Sequence, residues 1–313
     1  MTTYPAPSGQ TARRLEWPFL PPNLRAYVER KCGSPVTHAE SQGAGFTPGF
    51  ASVLTCENGT RHFVKAASVK AQRMFADSYR EEARKLAAIP EEVAAPRLLW
   101  LLDDDWVVLG LEYVEGRNPT RPWRDTELAA CLDTLEEVAA QLTPPPDELH
   151  LDTFADDFGD MVAYWDHVRT TQPDLPHLEE AAALAEGAID VAAGDTLVHT
   201  DVRDDNVILD RSGKAWFCDW NWPALGAAWL DSFFMLIGPR GDGLDVERVI
   251  AERPLLRDVP AAHLDAVLAL LVGYFFKQQD EPVPPTSPHI RDHQRWQGEV
   301  CWAWLCERRG WAT

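Results

Sequence analysis

Apolar and polar positions alternate over the first third of the chain and then give way to a longer period. Residues 50–56 (FASVLTC) and 61–66 (RHFVKA) read as two strands joined through Asn58–Gly59, a dipeptide suited to the positive φ of a hairpin turn. Residues 78–89 (SYREEARKLAAI) have helical composition. The run RLLWLLDDDWVVLGLEYVEG then reads as strand, acidic turn at Asp103–Asp105, strand, and an exit at Gly116. The Pro-rich first thirty residues predict an irregular arm with a short helix near LRAYVER.

From Thr126 onward the pattern is helical: TELAACLDTLEEVAAQL, MVAYWDHV and LEEAAALAEGAIDVA, with the prolines at 144–146 as a break. A small hairpin within 197–223 interrupts this territory. ALGAAWLDSFFML, HLDAVLALLVGYFF and HQRWQGEVCWAWLCERR read as further helices. The pattern predicts an α+β molecule of two lobes, a β-rich lobe over residues 1–112 and a helical lobe over 113–313. A cleft between lobes is where ligands gather.

Composition narrows the function. The longest strongly apolar run, AVLALLVGYFF, falls well short of the ~20 residues a membrane span requires, so it is expected to be a buried helix. No secretory signal is visible, which points to the cytoplasm. With 49 acidic against 29 basic residues the net charge is −20, and this excludes nucleic acid or an anionic membrane as the main partner. An acidic field draws cationic ligands instead. The six cysteines include no C-x-x-C pair, so neither a zinc site nor a disulfide framework is indicated, and free thiols are expected. A monomer and a homodimer both remain open.

The candidate chemistry lies in LVHTDVRDDNVILDRSGKAWFCDWNWP, which crowds five aspartates around one short apolar ribbon. With Ser212–Gly213 taken as a two-residue loop, 211 opposes 214, 209 opposes 216, and Asn206 opposes Asp219. A carboxamide oxygen and a carboxylate then meet at one point. Such a pair suits Mg²⁺, which prefers hard oxygen ligands and keeps few protein contacts besides substrate phosphates. Asp201, five residues before Asn206, can reach the same cleft and take a proton from an attacking hydroxyl. The alternative reading of any single Asp is an ordinary Asx turn before a surface hairpin.

These residues resemble the aminoglycoside phosphotransferase family, whose fold is protein-kinase-like. His199-Thr-Asp201-Val-Arg-Asp-Asp-Asn206 is similar to the family's catalytic loop. Cys218-Asp219-Trp220 is similar to its metal motif, and Gly226-Ala-Ala-Trp-Leu-Asp231 to the segment whose aspartate supports that loop. The resemblance implies a bilobal fold with an antiparallel-sheet N-lobe and a mainly helical C-lobe. It implies Asp201 as base, Asn206 and Asp219 as magnesium ligands, ATP or GTP as co-substrate, and His199 as a structural residue.

Lysine is scarce, six against 23 arginines, yet Lys65 sits inside the apolar strand HFVKA. The resemblance makes it the phosphate-binding lysine and Glu82 its partner, since Glu82-Ala-Arg-Lys-Leu86 sets a leucine on the adjacent core face where Glu81 does not. Gly43-Ala-Gly45-Phe-Thr-Pro-Gly49 stands where the family's Gly-rich loop would, with a departed spacing. Glu112 and Val114 stand where its purine-binding hinge would.

The acceptor implied is a small hydroxyl-bearing molecule, an aminoglycoside or other antibiotic, in resistance or self-protection. Asp156, Asp157 and Asp160 suit a polycation, and Trp165 and Trp296 a flatter natural product. Trp302 and Trp304 read as packing. Alternatives are a metabolic kinase of a choline-, homoserine- or sugar-like alcohol, and a catalytically silent nucleotide-binding regulator.

Overall fold

The computed structural model describes residues 14–43 and 49–312. Pro22 opens helix α1 (Pro22–Cys32), and Gly33, at φ 76°, ends it in the left-handed conformation that suits glycine. A five-stranded sheet follows, with strands β1 (Val36–Ser41), β2 (Phe50–Cys56) and β3 (Arg61–Ser68), helix α2 (Arg73–Ala88), and strands β4 (Leu98–Asp103) and β5 (Trp106–Leu111). Its order is β1-β2-β3-β5-β4, antiparallel throughout. The Asn-Gly turn forms between β2 and β3, with Gly59 at φ 82° and the Asn58 side chain accepting from the Thr60 N–H at 3.0 Å. Strand β1 was not foreseen. VTHAES carries no large run of apolar residues because it is an edge strand with most side chains in water.

The period of two divides the sheet into two working faces. Phe50, Leu54, Cys56, Val64 and Ala66 face α1, meeting its Leu24, Val28 and Cys32 in one small core. Lys65 and Ala67 point the other way, toward α2 and the body of the protein, where Tyr79, Ala83 and Leu86 join the main core. A lysine placed mid-strand on that inner face is buried, with 8% of its surface left to solvent.

After Leu111 the chain leaves the sheet and forms β6 (Gly116–Arg117), α3 (Asp125–Gln141), α4 (Phe154–Phe158), α5 (Tyr164–Thr171), α6 (Leu178–Glu186) and α7 (Ala188–Ala192). Strands β7 (Thr196–Val198), β8 (Val207–Asp210), β9 (Ala215–Phe217) and β10 (Ala224–Gly226) come next. Helices α8 (Leu230–Met235), α9 (Ile237–Gly241), α10 (Val246–Glu252), α11 (Ala261–Gln279) and α12 (Ile290–Arg309) complete the fold. The apolar run within α11 is buried nearly all round by α5, α6, α7 and α12, as its hydrophobicity on every face requires. No described helix is long and apolar enough to cross a membrane.

Two local expectations are corrected. Ala224–Gly226 is not the start of a helix but strand β10, paired antiparallel with β7, and the helix begins at Leu230. The hairpin register differs by one: Val207 pairs with Phe217, Ile208 with Trp216 and Leu209 with Ala215, so the loop has three residues. Asp210 causes the difference. Its side chain accepts from Ser212 N and Oγ at 2.8 and 2.6 Å and from Lys214 N at 3.1 Å, while Gly213 takes φ 89° to close the turn.

Candidate active site

The extra loop residue places Asn206 across from Cys218, whose N–H donates to the Asn206 carbonyl at 2.9 Å, and not across from Asp219. Asp219 comes one residue later at φ 68°, a left-handed conformation that turns its side chain back into the cleft. Thr200, just before Asp201, stands at φ 65°. For a β-branched residue such backbone stores about 1–3 kcal/mol of strain, held only because the surroundings fix it.

Asp231, at the start of α8, does the fixing. Its carboxylate accepts from the N–H groups of His199 at 2.6 Å and Thr200 at 2.9 Å. Burial pushes Asp231 above the usual carboxylate range, opposed by His199 and by these two bonds. His199 is fully buried, and burial keeps it neutral by lowering its pKa. Its Nδ1 accepts from the Asp201 N–H at 3.2 Å, so Nε2 carries the proton and donates to the Cys218 carbonyl at 2.8 Å. One imidazole therefore ties the Asp201 loop to the strand leading to Asp219.

Asn206 directs its amide at Asp201: Nδ2 donates to the Asp201 carbonyl at 2.8 Å and to Oδ2 at 3.0 Å. Its Oδ1 is thereby turned away from Asp201. Arg203 lies 3.0 Å from Asp201 Oδ1 and 2.9 Å from Asp205 Oδ1. The Asp201 side chain stays 30% exposed toward the cleft. Protein around its remaining sides pushes its pKa up to about 6, with Asp205 and Asp219 adding to the rise and Arg203 and Asn206 opposing it. A carboxylate with that pKa is ionised at neutral pH yet basic enough to take a hydroxyl proton.

Across the cleft, Lys65 Nζ donates to both oxygens of Glu82 at 2.7 and 2.9 Å and to Asp219 Oδ1 at 2.8 Å. Glu81 instead faces solvent and pairs with Arg84. Burial alone would lower Lys65, but Asp219 and Glu82 outweigh it and hold the ammonium charged. Burial likewise works to raise Asp219, and the Lys65 charge and hydrogen bond overcome it, so this carboxylate lies below its ordinary range. Glu82, only 1% exposed, is pushed up by burial against the pull of Lys65.

Sequence reasoning missed Arg203 and Asn221. Asn221 donates to Asp219 Oδ1 and accepts from Ser78 of α2 at 3.0 Å, while Lys85 of α2 donates to its carbonyl at 2.8 Å. Neither the burial of Asn221 nor the partial burial of Arg203 could be read from a polar loop. Asp204 and Asp205 find their cations in Arg121 and Arg203, and Asp210 caps the turn. Asp201 and Asp205 thus share Arg203, while Asp204, Asp210 and Asp219 each have other partners.

Asp219 Oδ2 has no hydrogen bond among the described residues, and with Asn206 Oδ1 it supplies two hard oxygen donors. This donor set fits a small hard divalent cation. Of the expected nucleotide contacts, Gly45 lies outside the described residues with the rest of 44–48, and Gly43 sits at their edge. Gly49 has φ 137°, and a Cβ there would lie 3.0 Å from the Tyr79 hydroxyl. Glu112 donates its N–H to the Arg97 carbonyl at 2.9 Å, so only its carbonyl is left for a purine edge. Val114, two residues on, is partly buried.

No family model and no curated protein matches the chain. Solved structures do. Spectinomycin phosphotransferase APH(9)-Ia, in complex with ADP and spectinomycin, is similar at TM-score 0.63 and 13% identity, over 91% of this chain and 98% of that one. A thermostable mutant of the aminoglycoside phosphotransferase APH(4)-Ia, with ADP and hygromycin B, gives 0.62 and 15% over 93% and 100%. Choline kinase LicA from Streptococcus pneumoniae gives 0.57 and 13% over 91% and 99%. The chain has the fold of the small-molecule phosphotransferases.

Within that phosphotransferase fold, two expected acceptor contacts are corrected. Trp165 is 1% exposed, with its indole N–H donated to the Ala269 carbonyl at 3.1 Å and its ring against Gly273. Trp296 is buried between Gly241 and the Arg121 guanidinium, which lies 4.8 Å from its ring. Both are core, as tryptophans at helical spacing usually are. Asp156 accepts from Thr153 N and Oγ1 at 3.0 and 2.6 Å in the capping box of α4, while Asp157 and Asp160 are exposed.

Proposed function

We propose that this protein transfers the γ-phosphoryl group of ATP or GTP, with Mg²⁺, to a hydroxyl of a small molecule. The observation that carries the reading is the meeting of Lys65–Glu82–Asp219 with Asp201–Asn206 across one cleft. Asn206 and Asp219 would hold the magnesium, which when bound neutralises charge on the β- and γ-phosphates. Lys65 would place its ammonium against the α- and β-phosphates, kept in position by Glu82. Asp201 would orient the acceptor hydroxyl and accept its proton as the oxygen–phosphorus bond forms and the nucleoside diphosphate leaves with the bridging oxygen. Gly43, Gly45 and the backbone of Glu112 and Val114 would seat the nucleotide.

An aminoglycoside or other antibiotic is the acceptor class the charge favours, since a net −20 attracts a polycation and Asp157 and Asp160 remain open to one. A cytoplasmic setting supplies the nucleotide. One observation favours a second reading, a quaternary-ammonium alcohol. Tyr164 and Tyr274 stack at 6.4 Å, and the Tyr274 phenol lies within the electrostatic reach of Asp201 and Arg203. A panel of aminoglycosides, other antibiotics, choline, homoserine and sugars, read by nucleoside diphosphate release, separates the readings. Asp201→Ala should keep nucleotide binding, seen by thermal shift, and lose at least ~100-fold in turnover. Near-normal turnover in that variant would remove Asp201 from the chemistry, and no nucleotide binding by the parent chain would remove the kinase reading altogether.

A further inference from the structure

The outer face of the N-terminal sheet carries a second group of chemistry-bearing side chains, away from the cleft. Helix α1 crosses that face with Leu24, Val28 and Cys32, one side chain per turn, and Cys32 is its last residue. Beneath it, Cys56 ends β2, and His62 stands near the start of β3, paired in register with Leu54. The sulfurs of Cys32 and Cys56 and a ring nitrogen of His62 all lie within 4.8 Å of one another. Both cysteines are free and buried, and His62 is partly buried.

Two thiols alone would be ordinary core. The histidine is what distinguishes the cluster, because its protonation is already arranged. Asn58 Oδ1 accepts from both the Thr60 N–H at 3.0 Å and the Thr60 hydroxyl at 2.7 Å, which commits the hydroxyl proton. The Thr60 oxygen must then accept at its 3.1 Å contact with His62, so Nε2 carries the proton and Nδ1 keeps a lone pair. An outer hydrogen bond that fixes the tautomer is what a metal-binding imidazole uses.

We propose that Cys32, Cys56 and His62 bind one zinc-class divalent cation, with water in the fourth position, clamping α1 to the β2–β3 hairpin. Two thiolates and a neutral imidazole balance a doubly charged ion, and the borderline-soft set selects zinc over magnesium. Tetrahedral zinc–sulfur bonds of about 2.3 Å and zinc–nitrogen bonds of about 2.0 Å set ligand atoms about 3.5–3.8 Å apart, so separations of at most 4.8 Å need close by no more than about 1 Å. On binding, both thiol protons leave to solvent and no redox step occurs. The ligands come from a helix and two strands, so no short cysteine motif announces them.

The test uses the full chain, stripped by a chelator under reducing conditions and titrated with Co²⁺ and then Zn²⁺. One equivalent of cobalt should give thiolate charge-transfer absorption and tetrahedral visible bands, displaced by one equivalent of zinc with two protons released. Zinc at a hundredfold excess over its Kd should raise Tm by about 5 °C. His62→Gln, at a partly exposed position, should keep the circular dichroism of the parent and weaken affinity about 100-fold or more. Thr60→Ala should weaken it by about tenfold through the lost outer bond. Cys32→Ser and Cys56→Ser should abolish the thiolate band. Cobalt uptake without that band, its persistence in Cys56→Ser, or a Cys32–Cys56 disulfide with no metal uptake after reduction each overturns the proposal. None of these readouts involves phosphoryl transfer, so the clamp stands or falls apart from the kinase reading.

Discussion

Lys65, which is buried, and Arg203, which is partly buried, both line the cleft, and each sits between two carboxylates. Arg203 finds its partners two residues away on either side, Asp201 and Asp205, within one loop. Lys65 reaches Glu82 on α2 and Asp219, 154 residues along the chain, on the other lobe. The first arrangement lies within one loop and holds Asp201, the proposed proton acceptor. The second joins strand β3 to helix α2 and to the residue two beyond β9, elements that meet only through the tertiary fold. Burial acts against both cations, and both are nonetheless held charged by their carboxylates. A local site and a long-range site thus use the same electrostatic device for different ends.

The largest expected effect comes from breaking the long-range triad. Lys65→Met leaves Glu82 buried without its cation, and removing one partner of a buried pair costs about 3–5 kcal/mol. Chemical denaturation should show a loss of at least about 3 kcal/mol, growing with pH as Glu82 resists ionisation, together with loss of nucleotide binding. A loss below about 1 kcal/mol would mean that the triad is not closed in solution. Breaking the local one should cost activity more than stability. Arg203→Lys keeps the charge but not the planar fork that spans two carboxylates, and turnover should fall on the order of tenfold. With the contact to Oδ1 weakened, the acid limb of its pH–rate profile should move upward.

For the parent protein, if it acts as proposed, kcat/KM should decline as pH falls through about 6, where Asp201 takes up a proton and can no longer accept one. Since burial raises this folded pKa, ionising Asp201 costs stability, which is therefore highest below its ordinary carboxylate range and lessens as pH rises through about 6. A flat kcat/KM profile between pH 5 and 8 would place the essential base elsewhere. The smallest effect is Asp210→Ala, which removes the cap of the three-residue loop. It should cost about 1 kcal/mol with little change in turnover. A large turnover loss there would show that the register of β8 and β9 fixes the spacing of Asn206 and Asp219.

Much of this was legible in local pattern. The Asn58–Gly59 turn, the strands carrying Lys65, and the all-round apolarity of α11 follow from periods of two and of a buried helix. The choice of Glu82 over Glu81 followed from which residue shares a face with Leu86. What escaped has physical reasons. Strand β1 is an edge with no apolar run to betray it, and residues 224–226 have helical composition but pair with β7 because that partner lies beside them. The indole of Trp165 looked available for an acceptor and proved to be core only once α11 lay against it.

By itself the amino-acid order determined the kinds of side chain that meet, since strand alternation and helix faces depend on neighbours a few positions apart. Tertiary structure alone decided how they meet. The one-residue register of the hairpin rests on the Asp210 carboxylate, the turn of Asp219 into the cleft on a strained backbone, and the Cys32, Cys56 and His62 cluster on a helix laid across two strands. Contacts between residues far apart in the chain depend on how whole elements stack, and no local period encodes that.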